Sequence, residues 1–400
     1  MFPACLMEGF VLKKVLPQKR DRMILFPVIG SQLIVTTSLF LMPLLVETLK
    51  VNAGLSGKAA GLLLSMELAA SALTTLCLSA WVRKHSTRHW GLAGGLLTVI
   101  GTALTLTSPA LPVLFGTRLL AGIGAGVVGA EATSLLARGV DRERLIAILT
   151  IVSIINAAFW FAVLPYFIDR LGYRGPYACI LLICLIGTYL LLRLPSFSTR
   201  HDSIQQASHS PFTISAVFVV LAIFLTQLGQ GAFWSMEAAY GSHAGFNSYE
   251  IGVVLSAATL LLLVGAVGAA WVSHRFGRFK SLIVLVAVNA VSIVFVSMIA
   301  VHWIYIAANV LQSITNLSSV IFQLGLAASL DRSGRAVGVS TALVTLGNGL
   351  GPSLSANLSG VFGAPFVGVA VLILNCVALA LFFGVKLRDV KGAQVSISPA

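Results

Sequence analysis

Glu67, Arg118 and Glu131 ask for an explanation first, because each interrupts a long run of apolar side chains. A charge placed in such a run costs a few kcal/mol by insertion scales (roughly 3), so it carries a partner or a task. A carboxyl that alternates between dry and wet surroundings changes its hold on a proton. Glu67 is therefore the first candidate proton carrier and Glu131 the second. Arg118 is the candidate for holding an anionic group or for neutralising Glu67. At 1.5 Å per helical residue, Glu67 lies about 14 Å and Arg118 about 10 Å inside its run. Glu131 follows Arg118 by 13 residues, which turns it about 140° around a helix. A loop base such as Arg88 is its expected partner.

Amides and hydroxyls recur at helical spacing in five other places. Gln227, Gln230, Trp234 and Glu237 share one face, as do Asn309, Gln312, Asn316 and Gln323. Thr341, Thr345, Asn348, Pro352 and Ser355 form a third stripe, Ser153, Asn156 and Trp160 a fourth, and Gln32 and Thr36 a fifth, with Pro43 and Glu47 above. A stripe of amides is too costly to face lipid, so it faces other helices or a watery cavity. The implied cavity suits a small organic solute with an apolar part, tilted by Arg118 towards an anionic one.

The elements that must carry these residues follow from composition. Of 400 residues, 58% are hydrophobic and only 10% charged, and the mean hydropathy is +0.96. That is too little charge to cover a water-soluble surface. A helix needs about 20 apolar residues to cross a bilayer. Twelve such runs are present: 23–46, 58–81, 90–108, 111–137, 145–167, 174–194, 213–236, 249–272, 281–300, 303–330, 337–360 and 364–386. The period-two alternation of a membrane barrel is absent, so the expected fold class is an all-α integral membrane protein with twelve transmembrane helices. The first run is too long for a cleaved signal and lacks a small-residue cleavage site.

Charge sets the orientation. With twelve runs, 21 lysines and arginines fall on the side of both termini and four (Lys50, Lys58, Arg170 and Arg174) on the other. The basic-loop rule places both termini in the cytoplasm. It also accounts for the +13 net charge, and the scattering of that charge gives no nucleic-acid face. The five cysteines and seven histidines show no metal-ligand spacing, so neither a metal nor a cofactor is expected.

The chain reads as built twice. At an offset of 190–191, GLSGKAAGLLLS (Gly54–Ser65) meets GFNSYEIGVVLS (Gly245–Ser256), Trp81-Val82 meets Trp271-Val272, Arg88 meets Arg278 and Glu47 meets Glu237. Arg118 meets Asn309. The expected organisation is a cytoplasmic segment 1–22, a six-helix bundle 23–194, a cytoplasmic linker 195–212, a second bundle 213–386 and a cytoplasmic tail 387–400.

Six plus six helices in parallel repeat with a central linker resemble the major facilitator superfamily. Three motifs join the resemblance. Arg275, Gly277, Arg278 and Lys280 fit that family's G-x-x-x-D-R-x-G-R-[RK] string, with His274 at the acid's place; the first copy is worn, with Lys84 at the acid's place and Ser86-Thr87-Arg88 behind it. Arg118-x-x-x-Gly122-x-Gly124-x-Gly126 resembles its R-x-x-x-G-x-G-x-G run. Gly347-x-x-x-Gly351-Pro352 resembles an exporter motif, which that family carries in the fifth run, where this chain has Pro165 without the glycines.

The resemblance implies a monomeric, proton-coupled secondary transporter working by alternating access, with its solute between two rocking halves. It implies cavity lining by the first, fourth, seventh and tenth runs, helped by the second, fifth, eighth and eleventh. It also implies a cytoplasmic gate at Lys84, Arg88, His274, Arg275 and Arg278, though neither copy offers the acid the family's latch uses. Uptake by symport is favoured over export of a drug or metabolite by antiport. A transporter-like receptor is the further alternative. No phosphate-cradling G-x-x-x-x-G-K-[ST] loop or catalytic cluster is present, so neither an ATP-driven pump nor an enzyme is expected. Short loops and the basic bias suit a bacterial inner membrane.

Overall fold

The computed structural model describes residues 19–82, 87–138, 140–193, 213–330 and 335–395. The linker at 195–212, most of segment 1–22, the last residues of the tail, and Lys84 lie outside them. Among the described residues the chain is all helix. The helices are α1 (Lys19–Phe40), α2 (Met42–Val51), α3 (Gly57–Val82), α4 (Thr87–Thr105), α5 (Leu111–Arg138), α6 (Arg142–Leu171), α7 (Arg174–Leu191), α8 (Ile214–His243), α9 (Ser248–Phe276), α10 (Arg278–Met298), α11 (His302–Leu330), α12 (Arg335–Phe362) and α13 (Pro365–Val395). Ten of these are long and apolar enough to cross a membrane. α4 and α12 fall short of that measure, so the structure supports a helical membrane bundle without fixing twelve crossings. α13 also runs past the expected end of its span at 386, to Val395.

The first apolar run is not one helix. Pro43 has no N–H to donate and its ring crowds the preceding turn. The chain breaks at Leu41, and α2 begins with the proline in its first turn. The break frees carbonyls at Leu39 and Phe40, which matter below.

Consecutive long helices alternate in direction. One face of the bundle gathers the basic connections, with Arg88, Arg142, Arg275, Arg278 and Lys386. The opposite face gathers the turns at 52–56, 106–110, 172–173, 244–247, 299–301 and 363–364. The two halves pack alike. In the first, α3 packs on α5, α4 on α5 and α7, and α1 on α6 and α7. In the second, α9 packs on α11, α10 on α11 and α13, and α8 on α12 and α13.

The halves meet through α3 with α12, α6 with α9, and α2 with α8, whereas α5 and α11 form no such seam. Every named contact of the seam lies towards the opposite face. Gly61 of α3 sits on the Pro352 carbonyl and Ala356 of α12, and Gly252 of α9 sits on the Phe161 carbonyl and Pro165 of α6. At each point a side chain would strike backbone, so only glycine allows the approach. One turn on, the Ser65 hydroxyl accepts from the Ser353 N–H at 2.8 Å, and the Ser256 hydroxyl donates to the Ala158 carbonyl at 2.8 Å. These are the positions that the two sequence repeats share. Leu64 and Leu255, also shared, are fully buried in one apolar cluster that draws on both halves. The other clusters among the described residues each stay within one half. Among the described residues the halves are thus closed across the opposite face, and α5 and α11 form no matching seam on the basic one.

Candidate functional site

Arg118 lies inside the first half, with no exposed surface. Its Nη1 donates to Glu67 Oε1 at 3.3 Å and its Nε to Thr105 Oγ1 at 3.0 Å. The guanidinium carbon stands 4.8 Å from the centre of the Tyr177 ring. Glu67 also accepts from the Ser38 hydroxyl at 2.9 Å. The glycine run explains how the pair meets. Gly122 and Gly126, a turn apart, press on α3 at Glu67 and at Ser71 and Thr74, while Gly124, on the other side, presses on α4 at Gly94 and Thr98. The i, i+2, i+4 spacing thus lets α5 approach two neighbours. The four helices α1, α3, α4 and α7 close around the ion pair. In this conformation Arg118 is engaged with Glu67 and is not exposed to a solute, anionic or otherwise.

The second half holds amides in place of charges. Asn348 Nδ2 donates to Gln227 Oε1 at 2.8 Å, and the Thr226 hydroxyl to Gln323 Oε1 at 3.2 Å. Gln227, Gln230, Asn316 and Gln323 line a small polar cavity between α8, α10, α11 and α13. Asn289 and Asn375 complete its wall. These two come from the ninth and twelfth runs, outside the set that the resemblance assigns to the cavity. They went unnoticed because a single polar residue makes no stripe.

Within the first half, Asn156 Nδ2 donates to Thr37 Oγ1 at 3.3 Å, and the Thr36 hydroxyl lies 3.5 Å from Ser153 Oγ. Gln32 is half-buried on the same helix. Trp160 is buried in the apolar cluster of the seam. Trp234 works at the seam itself: its indole N–H is shared between the Leu39 and Phe40 carbonyls, 3.2 Å from each. It takes up the acceptors that the Pro43 break releases.

Glu131 is fully buried towards the basic face and accepts from the Ser31 hydroxyl at 2.9 Å. Gly91 leaves room for its side chain. Arg88 is exposed, as are His274, Arg275 and Arg278. Gly277 divides α9 from α10 with a φ of 79°, so the second copy of the basic string is a tight turn between two helices. Glu237, Asn309 and Gln312 are each buried in the second half, at 0%, 1% and 2% exposure. Among the described residues there is no group of three or more His, Cys, Asp or Glu side chains that could hold a metal.

Two alike helical halves, a seam closed at one face, and polar side chains between and within the halves are the architecture of a membrane transporter. The sequence profile of the Major Facilitator Superfamily matches residues 28–220 and 219–397, and the chain belongs to that superfamily. No match is found among curated protein sequences. Solved structures agree on the fold. The nucleoside transporter NupG superposes with a TM-score of 0.69 at 13% identity, over 91% of this chain and 99% of its own. A POT family transporter in complex with a thioalcohol-conjugated peptide gives 0.70 at 14% identity, over 94% and 99%. An auto-inhibited POT family peptide transporter gives 0.71 at 11%, over 92% and 96%. The protein is therefore membrane-embedded and moves a solute.

Proposed function

We propose that this protein is a proton-coupled secondary transporter that takes up a small organic solute by alternating access. The observation that carries the reading is the one-sided seam: α3–α12, α6–α9 and α2–α8 pack at one face, and α5–α11 does not pack at the other. Rocking the halves about the midplane would exchange these two arrangements. With the basic face cytoplasmic, as the loop charges favour, the structure corresponds to the state closed to the outside. The setting proposed is a bacterial inner membrane, and the functional unit a monomer.

Glu67 carries a coupling proton in this reading. Its partner Arg118 is buried with it, and protonating Glu67 would cancel the attraction that joins α3 to α5. Glu131, buried beside Ser31, is the second candidate. An anionic solute reaches Arg118 only by displacing Glu67, so the first polar contacts come from Gln227, Gln230, Asn316 and Asn348, with Gln32, Thr36 and Asn156 across the cleft. Lys84, Arg88, His274, Arg275 and Arg278 are proposed to meet as the cytoplasmic gate in the opposite state.

Proteoliposomes with a trapped pH dye test this. Organic acids, nucleosides, peptides, sugars and lipophilic cations are added outside one at a time. A compound that acidifies the lumen is a symported solute, and Glu67→Gln should then abolish accumulation while sparing exchange. Drainage of an imposed acid interior would instead identify an antiporter. If labelled solute enters freely but no compound moves protons, the coupling is wrong.

A further inference from the structure

Glu237 has a fully buried carboxylate, and neither of its oxygens has a hydrogen-bond partner. On α11 the Asn309 Oδ1 and the Gln312 Nε2 also lack one. Buried polar groups are normally satisfied, so these four atoms need a reason.

They lie together. α8 and α11 run antiparallel, joined near the basic face by Thr226 and Gln323 at 3.2 Å. Near the other face the Tyr305 hydroxyl donates to the Glu237 carbonyl at 3.3 Å and touches Gly241. Stepping along both helices between these contacts brings Glu237 level with Asn309 and Gln312. Tyr305, Asn309 and Gln312 fall on one face of α11, at i, i+4 and i+7. The Tyr305 hydroxyl lies within interaction range of both the Asn309 amide and the Glu237 carboxylate.

The duplication shows what is missing. Glu47 is the repeat of Glu237, and it pairs with Lys50 at 2.9 Å. The repeat of Lys50 is Tyr240. The repeat of Arg118, which neutralises Glu67, is Asn309. The second half thus keeps a buried acid and has lost both cations. The titratable groups nearest Glu237 are Tyr240 on its own helix and Tyr305 on α11. His243 and His302 stand at the helix ends. On α9, α10, α12 and α13 the bases are at the basic face, and Lys50 on α2 is taken by Glu47.

We infer that Glu237 is a second proton-binding site, occupied in this conformation, with the carboxylic acid at the level of Asn309. One proton removes a buried charge that has no partner. The acid O–H supplies the donor that Asn309 Oδ1 lacks, which an ionised carboxylate cannot do. Its role in transport rests on the proton-coupled reading above. Trp234, one turn back on α8, holds the seam to Leu39 and Phe40. When that seam opens, water reaches Glu237, and the proton passes to that water on the face opposite the basic loops.

Infrared spectroscopy of the full chain in lipid nanodiscs tests the site without a known solute. Wild type is expected to show a carboxylic-acid carbonyl band that shifts on exchange into D2O. Glu237→Gln, whose amide reproduces the acid's donor and acceptor, should lose that band and stay folded, whereas Glu67→Gln should keep it. Asn309→Leu should shift the band by removing its acceptor. A band that survives undiminished in Glu237→Gln, or that Asn309→Leu leaves unmoved, overturns the site. So does a melting temperature raised by sodium chloride over choline chloride in wild type and not in Glu237→Gln, which would mark a sodium site. The two readings fail separately: a Glu237 band without proton movement in liposomes sinks only the coupling, and proton movement without the band sinks only this site.

Discussion

At the scale of single residues, the Glu67–Arg118 pair makes the sharpest demand. Removing one partner of a buried pair leaves the other uncompensated, at a cost of about 3–5 kcal/mol. Arg118→Ala should therefore lower thermal stability sharply, and adding Glu67→Gln should restore much of it. A double-mutant cycle of melting in detergent reads the coupling; additive losses would show that the 3.3 Å contact carries no energy. The sequence made both charges visible, because charge stands out in an apolar run. It could not show that Thr105 and Tyr177 would receive the arginine. Those residues come from separate helices and are ordinary in their own contexts.

At the scale of elements, proline and glycine decide the shape. The Pro43 break supplies acceptors for Trp234, so Trp234→Phe should weaken the seam while keeping the aromatic packing on Phe161. One neutral hydrogen bond contributes about 1 kcal/mol, so labelling of cysteines introduced at the opposite face should rise roughly five-fold; unchanged labelling would free the seam from the indole. Gly61→Val and Gly252→Val insert side chains where backbone stands. Overpacking costs about 1–3 kcal/mol, here charged to the closed state alone. Both variants should favour the state open at the opposite face, and each should have a similar effect, since the repeats place them alike. Equal accessibility of that face in wild type and variants would show that the seam yields elsewhere.

At the scale of the whole molecule, the one-sided closure predicts a lock. Ser65 and Ser353 touch across the halves. In a background without native cysteines, Ser65→Cys with Ser353→Cys should cross-link and stop solute flux, and dithiothreitol should restore it. Flux that continues through the cross-link would mean that the halves need not part there, and alternating access through this seam would fall.

Composition and periodicity were enough for the helices, their number to within the broken first run and the two less apolar ones, and the repeat. These are local properties: each apolar run must satisfy its own backbone in lipid. The repeat even marked the seam, since Gly61, Ser65, Gly252 and Ser256 stand out as shared. Only the tertiary structure decided which charges are occupied. In sequence Arg118 was open to an anionic solute or to Glu67, and the packing of α3, α4 and α7 around it chose Glu67. Glu237 read as one more polar residue on a stripe until α11 brought two unsatisfied amides level with it. Partnership depends on which helices become neighbours and at what register, and that is settled by packing between segments far apart in the chain.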